Sequence, residues 1–109
     1  MSEIKIEVPH WKETGGTCLK GYLTASFETL VRVFGQPHGA GDDSKSDAHW
    51  DLKINGTIVT IYNWKNGMNY MGAHGTPLED IRQWNLGGFD GPVDVERLVI
   101  RAIRSGVTI

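Results

Sequence analysis

The sequence holds a single cysteine, Cys18, among its 109 residues. No disulfide can form within the chain and no cysteine cluster can hold a metal, so this thiol is expected to be a small, semi-buried residue. An apolar run approaching the roughly 18 residues of a membrane-spanning helix is also missing. The opening MSEIKIEVPHWKE is too polar for the core of a signal peptide, and the expectation is a cytoplasmic protein with no membrane partner. Charge of one sign is lacking too. A net charge of -2 and a pI near 6.0 supply neither the basic field of a nucleic-acid binder nor the dense acidity of a DNA mimic, so nucleic acid is not expected as a partner.

Catalytic signatures are equally scarce. There is no Gly-x-Ser-x-Gly elbow, no His-Glu-x-x-His helix and no Gly-x-x-x-x-Gly-Lys loop. His10, His38 and His74 stand beside Pro, Gly or Trp in expected loops, which leaves only His49 on a strand among polar neighbours. The oxygen-rich stretch Asp42, Asp43, Ser44, Ser46 and Asp47 lacks the glycine and the closing glutamate of a calcium loop. A non-catalytic protein without metal or cofactor is the expectation.

What the sequence does contain is a strong hairpin. The runs AHWDLKI and TIVTIYNW flank Asn55-Gly56, and Asn-Gly between alternating runs favours a type I′ turn because both residues tolerate positive φ. A two-residue turn fixes the register: Ile54 faces Thr57, Leu52 faces Val59, Trp50 faces Ile61 and Ala48 faces Asn63, forming an apolar side. The other side pairs Lys53 with Ile58, Asp51 with Thr60, His49 with Tyr62, and Asp47 with Trp64.

Around this hairpin the remaining chain divides readily. Ile4, Ile6 and Val8 alternate with polar residues up to Pro9 and read as a short edge strand. Residues 17–23 offer a second short strand or an extended lead into a helix. From Ser26 the period changes: Phe27, Leu30, Val31 and Phe34 share one helical face, with Ser26 as N-cap, Gly35 past the end and Pro37 blocking continuation. Residues 36–47 are too polar to pack and form a surface loop. After the hairpin, residues 65–80 (KNGMNYMGAHGTPLED) are long for a structureless connection and serve either as a lid or as a cover for the sheet edge.

Residues 81–86 read as a third strand, with Trp84 and Leu86 inward and Gln83 and Asn85 on the side of His49 and Tyr62. Gly87-Gly88 belongs to a strand-to-helix joint in which Asp90 or Gly91 caps and Pro92 opens the helix. Its buried stripe is Val95, Leu98, Val99, Ala102 and Ile103, and Arg97, Arg101 and Arg104 form another face. The apolar ends of the tail, Val107 and Ile109, suit a sheet or a second copy of the chain. The predicted fold is α+β: a three-stranded antiparallel meander plus a short N-terminal strand, packed on two helices as a two-layer sandwich in a single domain over residues 1–109.

The run from Ser26 to Pro37 with its Phe-Gly-x-Pro ending, the Lys45-x-Asp47-x-x-Trp50 step, Ile61-Tyr62-Asn63-Trp64-Lys65 and Trp84-Asn85-Leu86-Gly87-Gly88 together resemble a family of small, mostly uncharacterised proteins encoded by bacteriophages and prophages. The similarity runs from about Lys20 onward. It implies a viral accessory protein acting on host machinery or on a host signalling molecule.

Function is expected on the polar and aromatic side of the sheet, which has no evident structural cover. The candidate binding residues are His49, Tyr62, Trp64, Lys65, Gln83, Asn85, Gly87 and Gly88. One reading is a non-catalytic inhibitor of host anti-phage defence that binds a host protein, since Trp and Tyr supply binding hot spots. The other is a binder of a nucleotide-like small molecule, with Tyr62 and Trp64 stacking on its ring while Lys65 and the glycine joint meet phosphate.

Overall fold

The turn at Asn55-Gly56 is built as its chemistry demands, with φ of 50° and 82° at the two residues. In this computed structural model, which describes residues 3–39 and 45–109, strands β1 (Ile6–Glu7) and β2 (Cys18–Thr24) precede helix α1 (Phe27–Phe34). Next come β3 (His49–Ile54), β4 (Thr57–Tyr62), the short helix α2 (Met68–Met71), β5 (Gln83–Gly88) and helix α3 (Val95–Arg104). The hairpin β3–β4 has the expected register, from Ile54 opposite Thr57 to His49 opposite Tyr62.

The chain is an α+β domain with a five-stranded antiparallel sheet in the order β1-β3-β4-β5-β2. The short N-terminal strand lies at an edge, as expected, beside β3, but the sheet has one strand more than the three-stranded meander plus that edge. The segment at residues 17–23 is a full strand, and it pairs with β5 along Cys18–Thr24, with a bulge between Leu19 and Gly21. Consecutive strands β1 and β2 therefore occupy opposite edges. The chain joining them must cross the sheet, and it does so through a 3-10 turn at Trp11–Thr14 that lies against β4 and places Glu13 2.9 Å from Lys53.

On the apolar face, Trp50, Leu52, Ile54, Val59, Ile61, Trp84 and Leu86 are fully buried. Each aliphatic among them is worth roughly 1.5–3 kcal/mol of transfer free energy. Leu30, Val33 and Phe34 of α1 and Val95, Leu98, Val99 and Ala102 of α3 belong to the same buried cluster. Phe27, Val31 and Ile103, expected on the helix stripes, pack against it while only partly buried. Ser26 caps α1 by accepting from the Thr29 N–H at 3.1 Å, and Gly35 ends it at φ 83°.

Several boundaries differ from expectation. The first strand is cut to Ile6–Glu7, with Val8 exposed. The strand expected at residues 81–86 starts at Gln83, and Ile81 is buried just before it. Gly87 and Gly88 close β5 instead of forming a joint. Asp94, which accepts from the Arg97 N–H at 3.1 Å, is the N-cap of α3 in place of Asp90 or Gly91, so Pro92 lies outside the helix. Cys18 is exposed. The tail returns to the domain, where the Ile109 N–H donates to the Val33 carbonyl at 2.9 Å. Among the described residues no helix is long and apolar enough to cross a membrane.

Candidate functional site

The side of the sheet facing away from the buried cluster carries His49 and Asp51 from β3 and Thr60 and Tyr62 from β4, because these positions alternate with the core residues Trp50, Leu52, Val59 and Ile61, although Thr60 is itself buried. From the sequence this side has no evident cover, but the chain between β1 and β2 covers part of it. The crossing chain walls off one part, and what remains is a shallow recess of about 300 Å³ lined by Thr17, Ser46, His49, Asp51, Thr60, Tyr62 and Trp64. At its aromatic end the rings of Tyr62 and Trp64 meet edge to face with centroids 6.2 Å apart.

The polar end is a histidine pair around Asp51. His49 Nδ1 is 3.1 Å from the Gly39 carbonyl and its Nε2 is 3.3 Å from Asp51 Oδ2. Both ring nitrogens thus face acceptors, an arrangement that only the imidazolium satisfies fully. The Asp51 hydrogen bond accordingly raises the His49 pKa against the opposing effect of burial. His38 is the reverse case. Its Nδ1 accepts from the Asp51 N–H at 2.9 Å, and burial lowers its pKa, aided by the neighbouring His49 and opposed by Asp51.

Beside the recess, residues 65–80 are anything but structureless. They contain α2 and 3-10 turns at Gly72–His74 and Leu78–Asp80, and a polar network centred on the buried Asn63 fastens them. Asn63 is fully buried and its Oδ1 accepts from the N–H groups of Asp47 and Ala48, at 2.7 and 3.0 Å. Its Nδ2 donates to Asp47 Oδ1 and Asn66 Oδ1, at 2.9 and 3.0 Å. The other Asp47 oxygen accepts from the Asn69 N–H, and the Asn69 side chain donates to the Ser46 carbonyl. Gly67 is required here, since a Cβ would fall 2.0 Å from Asp47 Oδ1. The acidic stretch considered for calcium is therefore partly employed in structure. Asp42, Asp43 and Ser44 lie outside the described residues.

What this network holds in place is an exposed apolar cluster. Trp64, Met68, Tyr70 and Met71 are 41–49% exposed. Lys65 bridges the rings, its Nζ lying 5.8 Å from the Trp64 centroid and 5.3 Å from that of Tyr70, while Lys45 Nζ is 5.4 Å from Trp64.

Of the residues singled out from the sequence, His49, Tyr62 and Trp64 line the recess and Lys65 borders it. Asn85 faces Tyr62 across the β4–β5 pair. Gln83 is at the strand's end, where its carbonyl accepts from Asn66 and its side chain meets Thr24. Gly87 lies opposite Thr60 of the recess without lining it, and Gly88 points away toward Ile58 and Val95. A Cβ on Gly87 would fall 2.3 Å from Thr60 Oγ1, and one on Gly88 would press on Ile58 and Val95. Both glycines serve strand packing, and α3 begins too far along the chain for them to form its N-terminal anion site. Sequence reasoning passed over Asp51, Thr60, Met68, Tyr70 and Met71. The alternation that selected His49 and Tyr62 also marks Asp51 and Thr60, but nothing local marks the methionines as ordered. No protein-family model matches the chain, and the curated proteins contain no match to it.

Proposed function

We propose that this chain is a non-catalytic protein-binding module whose contact surface is the Trp64, Met68, Tyr70 and Met71 cluster together with the His49 and Tyr62 recess. The observation that carries the reading is the network of the buried Asn63 and the half-buried Asp47 that anchors an exposed apolar segment. Aromatic and methionine side chains are enriched at interface cores, and a segment fixed before binding loses less conformational entropy on association. The reading takes the domain as a two-layer sandwich in which the β3–β4–β5 meander gives one face to α1 and α3 and the other to a partner. The resemblance to phage and prophage proteins supplies the context: a host protein of anti-phage defence as the partner, inhibited by occlusion in the host cytoplasm.

The test is recovery of a bacterial partner by the full chain, followed by calorimetric titration of that purified partner with wild type and a Trp64→Ala/Tyr70→Ala variant. The variant should fold normally and bind at least tenfold more weakly. Equal affinity would place the interface elsewhere.

A second reading has its own support in the recess, whose volume and Tyr62–Trp64 pair suit one aromatic ring of a nucleotide-like signal molecule. Native mass spectrometry of the purified protein separates the two, since only this reading expects a retained small molecule.

A further inference from the structure

Lys65 differs from three other lysines of the domain. Lys5, Lys20 and Lys53 each pair with a carboxylate. Lys65 has none within ion-pair distance among the described residues, and its ammonium instead lies between the rings of Trp64 and Tyr70. Its backbone is in the left-handed region at φ 60°, where a side chain costs on the order of 1 kcal/mol and glycine or asparagine is the usual occupant. The Lys65 N–H donates to the Lys45 carbonyl at 2.8 Å, which fixes that conformation. Ring faces attract a cation but supply no lone-pair acceptor, so the N–H donors of the ammonium remain available to an incoming oxygen.

We propose that Lys65 is the anion-receiving point of this surface, and that the partner is a protein segment presenting a carboxylate next to a large apolar side chain. The proposal rests on the reading of this face as a protein-binding surface and specifies what binds there. The carboxylate meets Lys65, with Lys45 adding positive potential beside Trp64, and the apolar neighbour packs on Trp64 and Met68. A free polyphosphate fits less well, because the exposed side chains that accompany Lys65 are Trp64, Met68, Tyr70 and Met71, apolar surface that a polyphosphate cannot cover.

The experiment is selection from a random-peptide display library on the immobilised full chain, then measurement of the leading synthetic peptide against variants. Selected sequences should carry Asp or Glu within two residues of Leu, Ile, Phe or Trp. Lys65→Gln should weaken the peptide about tenfold, which corresponds to about 1.4 kcal/mol, and flatten the salt dependence of binding, while Lys65→Arg retains most of both. If Trp64→Ala abolishes binding but Lys65→Gln leaves it unchanged, the carboxylate contact is overturned and the protein-binding surface stands. If neither substitution matters, both fail. Displacement of the peptide by millimolar ATP in wild type but not in Lys65→Gln would overturn the peptide assignment in favour of a small anionic ligand.

Discussion

Trp50 and Trp84 hold opposite ends of the same helix. Their rings meet edge to face at 5.4 Å between centroids, and the indole N–H of Trp50 donates to the Gly35 carbonyl past the C-terminus of α1 while that of Trp84 donates to the Ala25 carbonyl before its N-terminus, both at 2.9 Å. Phe27 closes the cluster, 5.9 Å from Trp50 and 6.4 Å from Trp84. The position of α1 over the sheet is thus set by hydrogen bonds as well as by apolar contact.

This pairing separates the two contributions. Trp50→Ala should cost roughly 3–5 kcal/mol through loss of a fully buried ring. Trp50→Phe keeps much of the apolar volume but leaves the Gly35 carbonyl without its donor, and should cost less, about 1–3 kcal/mol. Urea denaturation of the two variants gives the comparison, and an equal loss would mean that the hydrogen bond dominates.

The buried amide of Asn63 allows a sharper test of order in residues 65–80. Asn63→Leu removes partners from Asp47, Asn66 and two backbone amides at once, and unsatisfied buried groups cost about 1–3 kcal/mol each. Beyond lower global stability, amide hydrogen exchange at Asn69 and Met71 should accelerate relative to β4. Unchanged protection there would show that the segment is held by something other than this network.

How far the sequence discloses such features depends on their range. The hairpin register follows from two adjacent residues, Asn55 and Gly56, because local φ preferences and a period of two decide it. Helix α1 is similarly legible from Ser26 to Gly35. The partner of β2 is not, since pairing Cys18–Thr24 with β5 joins segments some 65 residues apart and nothing local names the far edge. The order of residues 65–80 is hidden for the same reason, with Asp47 and Asn63 supplying its anchor. Within the candidate site, alternation on β3 and β4 reveals His49 and Tyr62, whereas the cover laid by residues 11–14 follows only once β1 and β2 are known to be at opposite edges. The start of α3 is ambiguous in the sequence because Asp90, Gly91 and Pro92 carry helix-start signals ahead of Asp94, whose carboxylate is the one that reaches a first-turn amide.

Gly87 illustrates a glycine demanded by a neighbour. An ideal Cβ there would lie 2.3 Å from Thr60 Oγ1 but 3.7 Å from Thr60 Cβ. Gly87→Ala alone should therefore destabilise by about 1–3 kcal/mol through overpacking, and adding Thr60→Ala should recover much of the loss. A double variant no more stable than the sum of the two single effects predicts would place the constraint in the backbone instead.

The histidine pair predicts opposite pH dependences from adjacent rings. The His49 pKa is raised, so the folded state prefers the imidazolium. Its stabilising contribution is complete below the ordinary histidine value near 6.5 and fades as pH rises through the higher folded value. The His38 pKa is lowered, so its preference for the neutral ring contributes above that ordinary value and is lost as pH falls through the folded value. His49→Gln should accordingly cost more stability at pH 5 than at pH 8, and His38→Gln more at pH 8 than at pH 5. The charged groups that set these signs are Asp51, which hydrogen-bonds His49 and partly offsets the burial of His38, and the His49 imidazolium, which repels a proton on His38. Urea denaturation of both variants at both pH values, with an NMR titration of the ring protons, measures the effect. Equal losses for His49→Gln at the two pH values would show that its contact with Asp51 does not stabilise the fold, and a His38 ring titrating above His49 would reverse the assignment.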